Sequence, residues 1–336
     1  MLNKPFFSIF IVGLLILSGI IISPISSEKI QATEITDFDC YVDDIPGSSG
    51  PDDPPEDFTS IQEAINASSD GDTIFVYNGT YTESIVINKS ISLEGEDNEN
   101  TVIISNSVEI DSNDDTIKIN TDDVCISTFK IMTNSYGCAI KSAYSNNLII
   151  ENNRLFEGVS LICSNHSIIR GNFFNRSLGI SDSHYNEIIQ NEFYGYGGIF
   201  ILSSSSHNEI RQNIIDQKSE SGIWINKGYN NIISYNIIKN CKYGIMVYTE
   251  NNEITHNDFY SNIHPLEPHY NGINYGYQMK LFVVKFCKIR NNYWDGARVL
   301  PKIIINYSVS YFGYHLSFVW DPTPAREPNC DFGGGT

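Results

Sequence analysis

The amino-acid sequence predicts an all-β fold, a parallel β-helix solenoid of about 8–10 coils entered through a short capping helix. Three observations predict it. The pattern Ile-x-x-Asn-x-(Leu, Ile or Phe) recurs from Ile150, Ile169, Ile188, Ile210, Ile233 and Ile254, in steps of 19, 19, 22, 23 and 21 residues. A glycine followed by a β-type triplet keeps the same beat at Gly137, Gly158, Gly179, Gly198, Gly222 and Gly244. The segments between are short, β-branched and alternating, as in Gly198-Ile199-Phe200-Ile201 and Gly222-Ile223-Trp224-Ile225, too short for helices.

The elements follow in chain order. Residues 1–27 carry one early lysine, Lys4, and an uncharged run from Phe6 to Ser23, the layout of a signal peptide or an N-terminal membrane anchor. Residues 28–57 read as an acidic linker, with 43–57 rich in Asp, Pro, Gly and Ser. The solenoid domain is expected over 58–330. It opens on Ser60-Ile61-Gln62-Glu63, a capping box before a short amphipathic helix. A first coil follows from Ile74–Val76, Ile85–Ile87 and Ile91–Leu93. The ladder asparagines Asn153, Asn172, Asn191, Asn213, Asn236 and Asn257 are expected at a corner with left-handed backbone, their amides stacking from coil to coil. Coils spaced by about 4.8 Å make a rod on the order of 40 Å long. The aromatic-rich stretch around Tyr293-Trp294, Ile303–Ile305 and Phe318–Trp320 is expected to close the last coil, and 331–336 is a tail.

Charge is unevenly placed. The 336 residues hold 21 Lys+Arg and 40 Asp+Glu, a net −19. Residues 29–140 contribute 23 acidic and 4 basic residues, and residues 141–336 contribute 16 of each, so the whole surplus sits in one third of the chain. That balance argues against nucleic acid as a partner, and it leaves the membrane in contact only with the N-terminal segment. The seven cysteines, at 40, 125, 138, 163, 241, 287 and 330, form no CxxC pair and leave disulfide connectivity open. Six sequons, at Asn66, Asn78, Asn88, Asn165, Asn175 and Asn306, fit a secreted or cell-surface location with possible N-glycosylation.

Several of these stretches resemble a known family. Tyr41-Val42-Asp43-Asp44, Ser60 to Ile65, Gly71-Asp72-Thr73-Ile74, Asn78-Gly79-Thr80-Tyr81 and Ile87 to Ile91 occur in an order similar to the start of exported right-handed parallel β-helix proteins of the pectin-lyase-like superfamily, NosD-like and archaeal-surface in type. Asn292-Tyr293-Trp294, Leu300-Pro301-Lys302 and Trp320-Asp321-Pro322 resemble the ending of archaeal members, with Pro322 where those carry histidine. The resemblance covers residues 41–330. It implies fold and compartment; activity stays open, since the superfamily includes lyases, hydrolases, binding modules and adhesins.

Candidate chemistry is sparse. Asn120-Thr121-Asp122-Asp123 is similar to the first hydrolase motif of polygalacturonases, which makes Asp122 and Asp123 the catalytic candidates. The further motifs such an enzyme needs are missing, and a turn is the competing reading. Asp111, Asn113 and Asp115 have the spacing of early calcium ligands, with Thr116 where glycine is needed, so calcium is the one cofactor candidate and otherwise none is expected. The resemblance to NosD brings copper into view. Met132, Met246 and Met279 are isolated, however, and no structural copper site is expected. Surface tyrosines suit stacking on sugar faces, and the 35-residue step from Ile254 to Ile289 leaves an extra loop near 260–280. Tyr235, His256, Tyr270 and Tyr275 are the ligand-binding candidates. The expected role is an exported binding, adhesive or surface-structural protein that contacts polysaccharide or cell-surface glycan. A polysaccharide lyase or glycoside hydrolase is the alternative, and NosD-like copper maturation the second.

Overall fold

The computed structural model describes residues 38–44, 58–106, 114–217, 221–249, 251–262, 264–268, 288–294, 302–310, 313–321 and 323–325. Among them the chain winds as a parallel solenoid of about eight turns. Three parallel sheets run its length. Sheet 1 has 11 strands, from Cys40–Val42 to Lys288–Arg290; sheet 2 has 10, from Gly79–Thr82 to Tyr293–Trp294; sheet 3 has 9, from Ile85–Ile87 to His264–Pro268. Each turn visits sheets 3, 1 and 2 in order, so every strand pairs with the equivalent strand one coil away.

Strict alternation sets what faces inward. On sheet 1, Ile150 registers with Ile169, Ile188 and Ile210 on later coils, and all four are fully buried. Sheet 2 aims larger rings at the same interior, with Phe174 stacked on Phe193 at 4.5 Å. Adjacent-coil stacking makes one continuous core, because no single coil covers its own apolar face.

The glycine beat resolves into two roles. Gly158, Gly198, Gly222 and Gly244 stand in register where the chain enters sheet 3. There the backbones approach so closely that a Cβ on Gly198 would lie 2.0 Å from the Gly222 carbonyl oxygen. Gly179 is displaced by two positions and falls opposite Phe200 on the outer face of sheet 3.

The compact unit that holds the solenoid begins at Phe38. Cys40–Val42, inside the stretch read as a linker, pairs with Thr73–Val76 because Phe38 stacks on Phe75 at 4.6 Å and Asp39 accepts the Thr73 N–H at 2.7 Å. The capping helix spans Ile61–Ala67 with Ser60 as its N-cap. The carboxylate that satisfies its first turn comes from Glu83, which accepts from the Ile61 and Gln62 N–H groups and from the Ser60 hydroxyl. At the other end, Lys302–Ser310 and Gly313–Asp321 form an antiparallel hairpin. No helix among the described residues is long and apolar enough to cross a membrane; the Phe6–Ser23 run lies outside them.

Candidate functional site

Two inner amide ladders fix the geometry on which every surface residue hangs. In the first, each asparagine from Asn153 to Asn257 donates its backbone N–H, and its Nδ2, to Oδ1 of the asparagine one coil on, at 2.9–3.2 Å. The series runs one rung further to Asn292. It ends on the fully buried carboxylate of Asp321, whose Oδ2 accepts from Asn292 N–H at 3.1 Å and Trp294 Nε1 at 2.9 Å. A second series, Asn186, Asn208, Asn231 and Asn252, repeats the arrangement at the corner between sheets 3 and 1.

The left-handed backbone sits one residue before each asparagine of the first ladder, not on it. Asn152, Gly171, Gln190, Gln212, Tyr235, His256 and Asn291 have φ between +55° and +63°. Of these, Tyr235 and His256 are bulky residues in a conformation costing roughly 1–3 kcal/mol each, offset by the amide bonds that follow them. Their rings stack at 4.9 Å, and His256 Nε2 lies 3.1 Å from Asn291 Nδ2. The other two ligand-binding candidates, Tyr270 and Tyr275, lie outside the described residues.

The acidic candidates have structural partners. Asp122 Oδ1 accepts the Asn146 N–H at 2.7 Å, which starts an outer ladder through Asn146, Asn165, His184 and Ser206. Asp123, with φ +58°, accepts from Asn147 Nδ2 at 2.9 Å. The structure thus engages both carboxylates with amides of the next coil. Asp115 is 3% exposed, accepts the Cys138 N–H, and lies 3.5 Å from Lys141 and 4.0 Å from Lys118. Asp111 and Asn113 fall outside the described residues.

Among the described residues no group of three His, Cys, Asp or Glu is placed to hold a metal ion. His184 Nδ1 lies on Ser206, His207 Nε2 on Asn230, and Met246 Sδ accepts from Ser221. The thiols are equally quiet. Burial pushes Cys125 and Cys138 up to about 11 and Cys241 to about 12, helped by the neighbouring carboxylates Glu151, Asp115 and Asp216 respectively.

The outer face of sheet 3 is chemically distinct. One outward position per coil gives the line Lys118, Lys141, Ser160, Gly179, Phe200 and Trp224. It runs from cationic, through a floor without bulk, to aromatic. Phe200 meets Trp224 edge-on at 5.9 Å, and Tyr248 lies 5.9 Å beyond. Trp224 Nε1 is buried with no hydrogen-bond partner, an uncommon state for an indole N–H. Sequence reasoning missed Phe200 and Trp224 as surface groups. Their signal was an aromatic between two isoleucines at the same offset in consecutive repeats.

Comparison with known proteins agrees with this architecture. Residues 156–285 match the family model described as "Right handed beta helix region", and residues 65–217 match "Periplasmic copper-binding protein (NosD)". Over 256 residues the chain is 32% identical to a cell surface glycoprotein of Methanothermus fervidus, covering 60% of this chain and 42% of that protein. The chain therefore spans less than half the length of this relative. Among solved structures, a complex of XylC with xylose superposes with a TM-score of 0.53 at 11% identity, over 77% of this chain and 75% of that one. An alginate lyase from a Paenibacillus species reaches 0.48 at 17% identity, over 59% and 83%. The protein is a right-handed parallel β-helix.

Proposed function

We propose that this is an exported, surface-held β-helix that contacts carbohydrate through the outer face of sheet 3. The observation that carries the reading is the Phe200–Trp224–Tyr248 aromatic strip. An aromatic face meets the C–H face of a pyranose. Similarity to a cell surface glycoprotein supports the location. Binding rather than turnover is favoured because Asp122 and Asp123 are tied into coil-to-coil amide bonds.

The test is a glycan array with the full chain, followed by titration of each hit against Trp224→Ala. Loss of affinity by at least about tenfold is expected, the equivalent of roughly 1.4 kcal/mol. Unchanged binding in the variant would remove sheet 3 from the reading. Release of unsaturated or reducing sugars from an array hit, abolished by Asp122→Ala, would replace it with the enzyme reading. Stoichiometric copper surviving dialysis would favour the copper reading that the NosD match raises.

A further inference from the structure

We propose that the first coil carries two N-linked glycans, on Asn78 and Asn88, and that the other sequons within the described side chains, at Asn66, Asn165 and Asn175, stay bare in the folded protein. The reaction joins Asn Nδ2 to the anomeric carbon of a lipid-pyrophosphate-linked oligosaccharide. A C–N bond forms, the anomeric C–O bond to pyrophosphate breaks, the lipid pyrophosphate leaves, and one amide proton is lost to base. A folded acceptor therefore needs its carboxamide in solvent, the sequon hydroxyl within reach, and room for a sugar.

Asn78 meets these needs. It is exposed at the corner between Thr73–Val76 and Gly79–Thr82, and Thr80 is exposed beside it. Its one amide contact uses Oδ1, which accepts from Thr101 Oγ1 at 3.0 Å, the atom opposite the reacting nitrogen. Asn88 is exposed at the corner between Ile85–Ile87 and Ser92–Gly95, with Ser90 half-buried two residues on and its hydroxyl donating to Asp122 O at 2.8 Å. Among the described residues nothing hydrogen-bonds its carboxamide.

The three others fail for separate reasons. Asn66 lies in the last turn of the capping helix, its backbone held helical, and its Ser68 is only 5% exposed. Asn165 is a rung of the outer ladder: Nδ2 donates to Asn146 Oδ1 at 3.0 Å and Oδ1 accepts the His184 N–H. Its Ser167 is fully buried, bonded to Leu148 N–H. Asn175 is half-buried under the Gly195–Gly197 loop, where a Cβ on Gly195 would stand 2.5 Å from Asn175 Oδ1. Reaching any of these acceptors requires local opening of the coil, whereas Asn78 and Asn88 react from the closed state.

The two acceptors sit on the two corners that border sheet 1 at its first full turn. Glycans there would collar the acidic end and leave the Phe200–Trp224 strip uncovered several coils away. In the cell the modification depends on export, but the acceptor geometry does not.

The experiment treats the folded full-length chain in vitro with a single-subunit oligosaccharyltransferase and a polyprenyl-pyrophosphate-linked oligosaccharide, then maps glycopeptides by mass spectrometry. Synthetic peptides of the five sequons, each accepted by the enzyme, provide the unfolded reference. Occupancy at Asn78 and Asn88 is expected to exceed that at Asn66, Asn165 and Asn175 by at least about tenfold, the factor a local opening of roughly 1.4 kcal/mol imposes. Asn78→Gln and Asn88→Gln should each remove one glycan, and together remove nearly all. Equal occupancy at Asn165 or Asn175, or none at Asn78 and Asn88, would overturn the proposal.

Discussion

A single carboxylate decides how the main amide ladder ends. Each ladder asparagine has a successor to accept its N–H, but Asn292 has none, and Asp321 takes that place from the end of the C-terminal hairpin. Its other oxygen accepts the Thr323 N–H at 3.0 Å, so one buried acid satisfies donors from two segments and the Trp294 ring. Asp321→Ala leaves Asn292 N–H and Trp294 Nε1 without an acceptor, and should lower stability by about 2–4 kcal/mol. Chemical denaturation reads this directly. Asn236→Ala, in mid-ladder, should cost a similar amount, because Asn236 Oδ1 accepts two bonds from Asn213 and its Nδ2 reaches Ile210 O at 2.8 Å. A loss under about 0.5 kcal/mol in both would mean that the ladder is ornamental to stability. At this scale the sequence was informative about identity and off by one about conformation. The asparagine was visible by its period, while the left-handed residue before it varies from glycine to histidine and so leaves no signature.

Among the elements, the capping helix shows why local motifs are incomplete. Ser60 does accept the Glu63 N–H, at 3.4 Å, as the capping box suggests. The stronger contacts come from Glu83, 22 residues away from Ile61, at 2.8–3.0 Å. Glu83→Ala should therefore destabilise the N-terminal cap by about 1–2 kcal/mol, more than Glu63→Ala. Hydrogen exchange at Ile61 and Gln62 tests this, since their protection should fall in the first variant and hold in the second. The same gap between local and non-local reading explains the strand Cys40–Val42. Its sequence falls within the stretch read as a linker, and the Phe38, Phe75 and Tyr77 ring cluster together with the Asp39–Thr73 bond makes pairing favourable. The second ladder was legible in principle as Asn-x-Ile ahead of each Ile-x-x-Asn. Its earlier rungs are Leu148 and Ser167, which hide the repeat.

For the solenoid as a whole, coil-on-coil packing means that no residue inside is reachable without opening neighbouring turns. The thiols offer a measure of that opening. With burial holding Cys125 and Cys138 near 11 and Cys241 near 12, all three are overwhelmingly protonated at pH 8, and thiolate is the reacting form. Alkylation of the native protein at pH 8 should leave these three unmodified, and denaturant should release all of them together. Mass spectrometry after pulse labelling decides. Fast native labelling of Cys241 would show that the coils around it open independently. Charge follows the same large-scale logic. The acidic third of the chain covers the N-terminal cap and first coils, while the neutral body carries cross-coil ion pairs such as Arg211 with Glu187 at 3.2 Å.

The sequence by itself determined the period, the inward apolar columns and the ladder asparagines. In a solenoid each residue's neighbour is its counterpart one coil away, so repetition along the chain translates directly into contact. Only the tertiary structure decided what lies outside that repetition. Glu83 caps a distant helix, Asp321 closes the ladder, and Cys40–Val42 joins sheet 1. Phe200 and Trp224 surface on one face, and Asn165 loses to the ladder the amide that its sequon advertises. Those contacts join segments of unequal spacing, and their partners are chosen by reach and burial, which no repeat encodes.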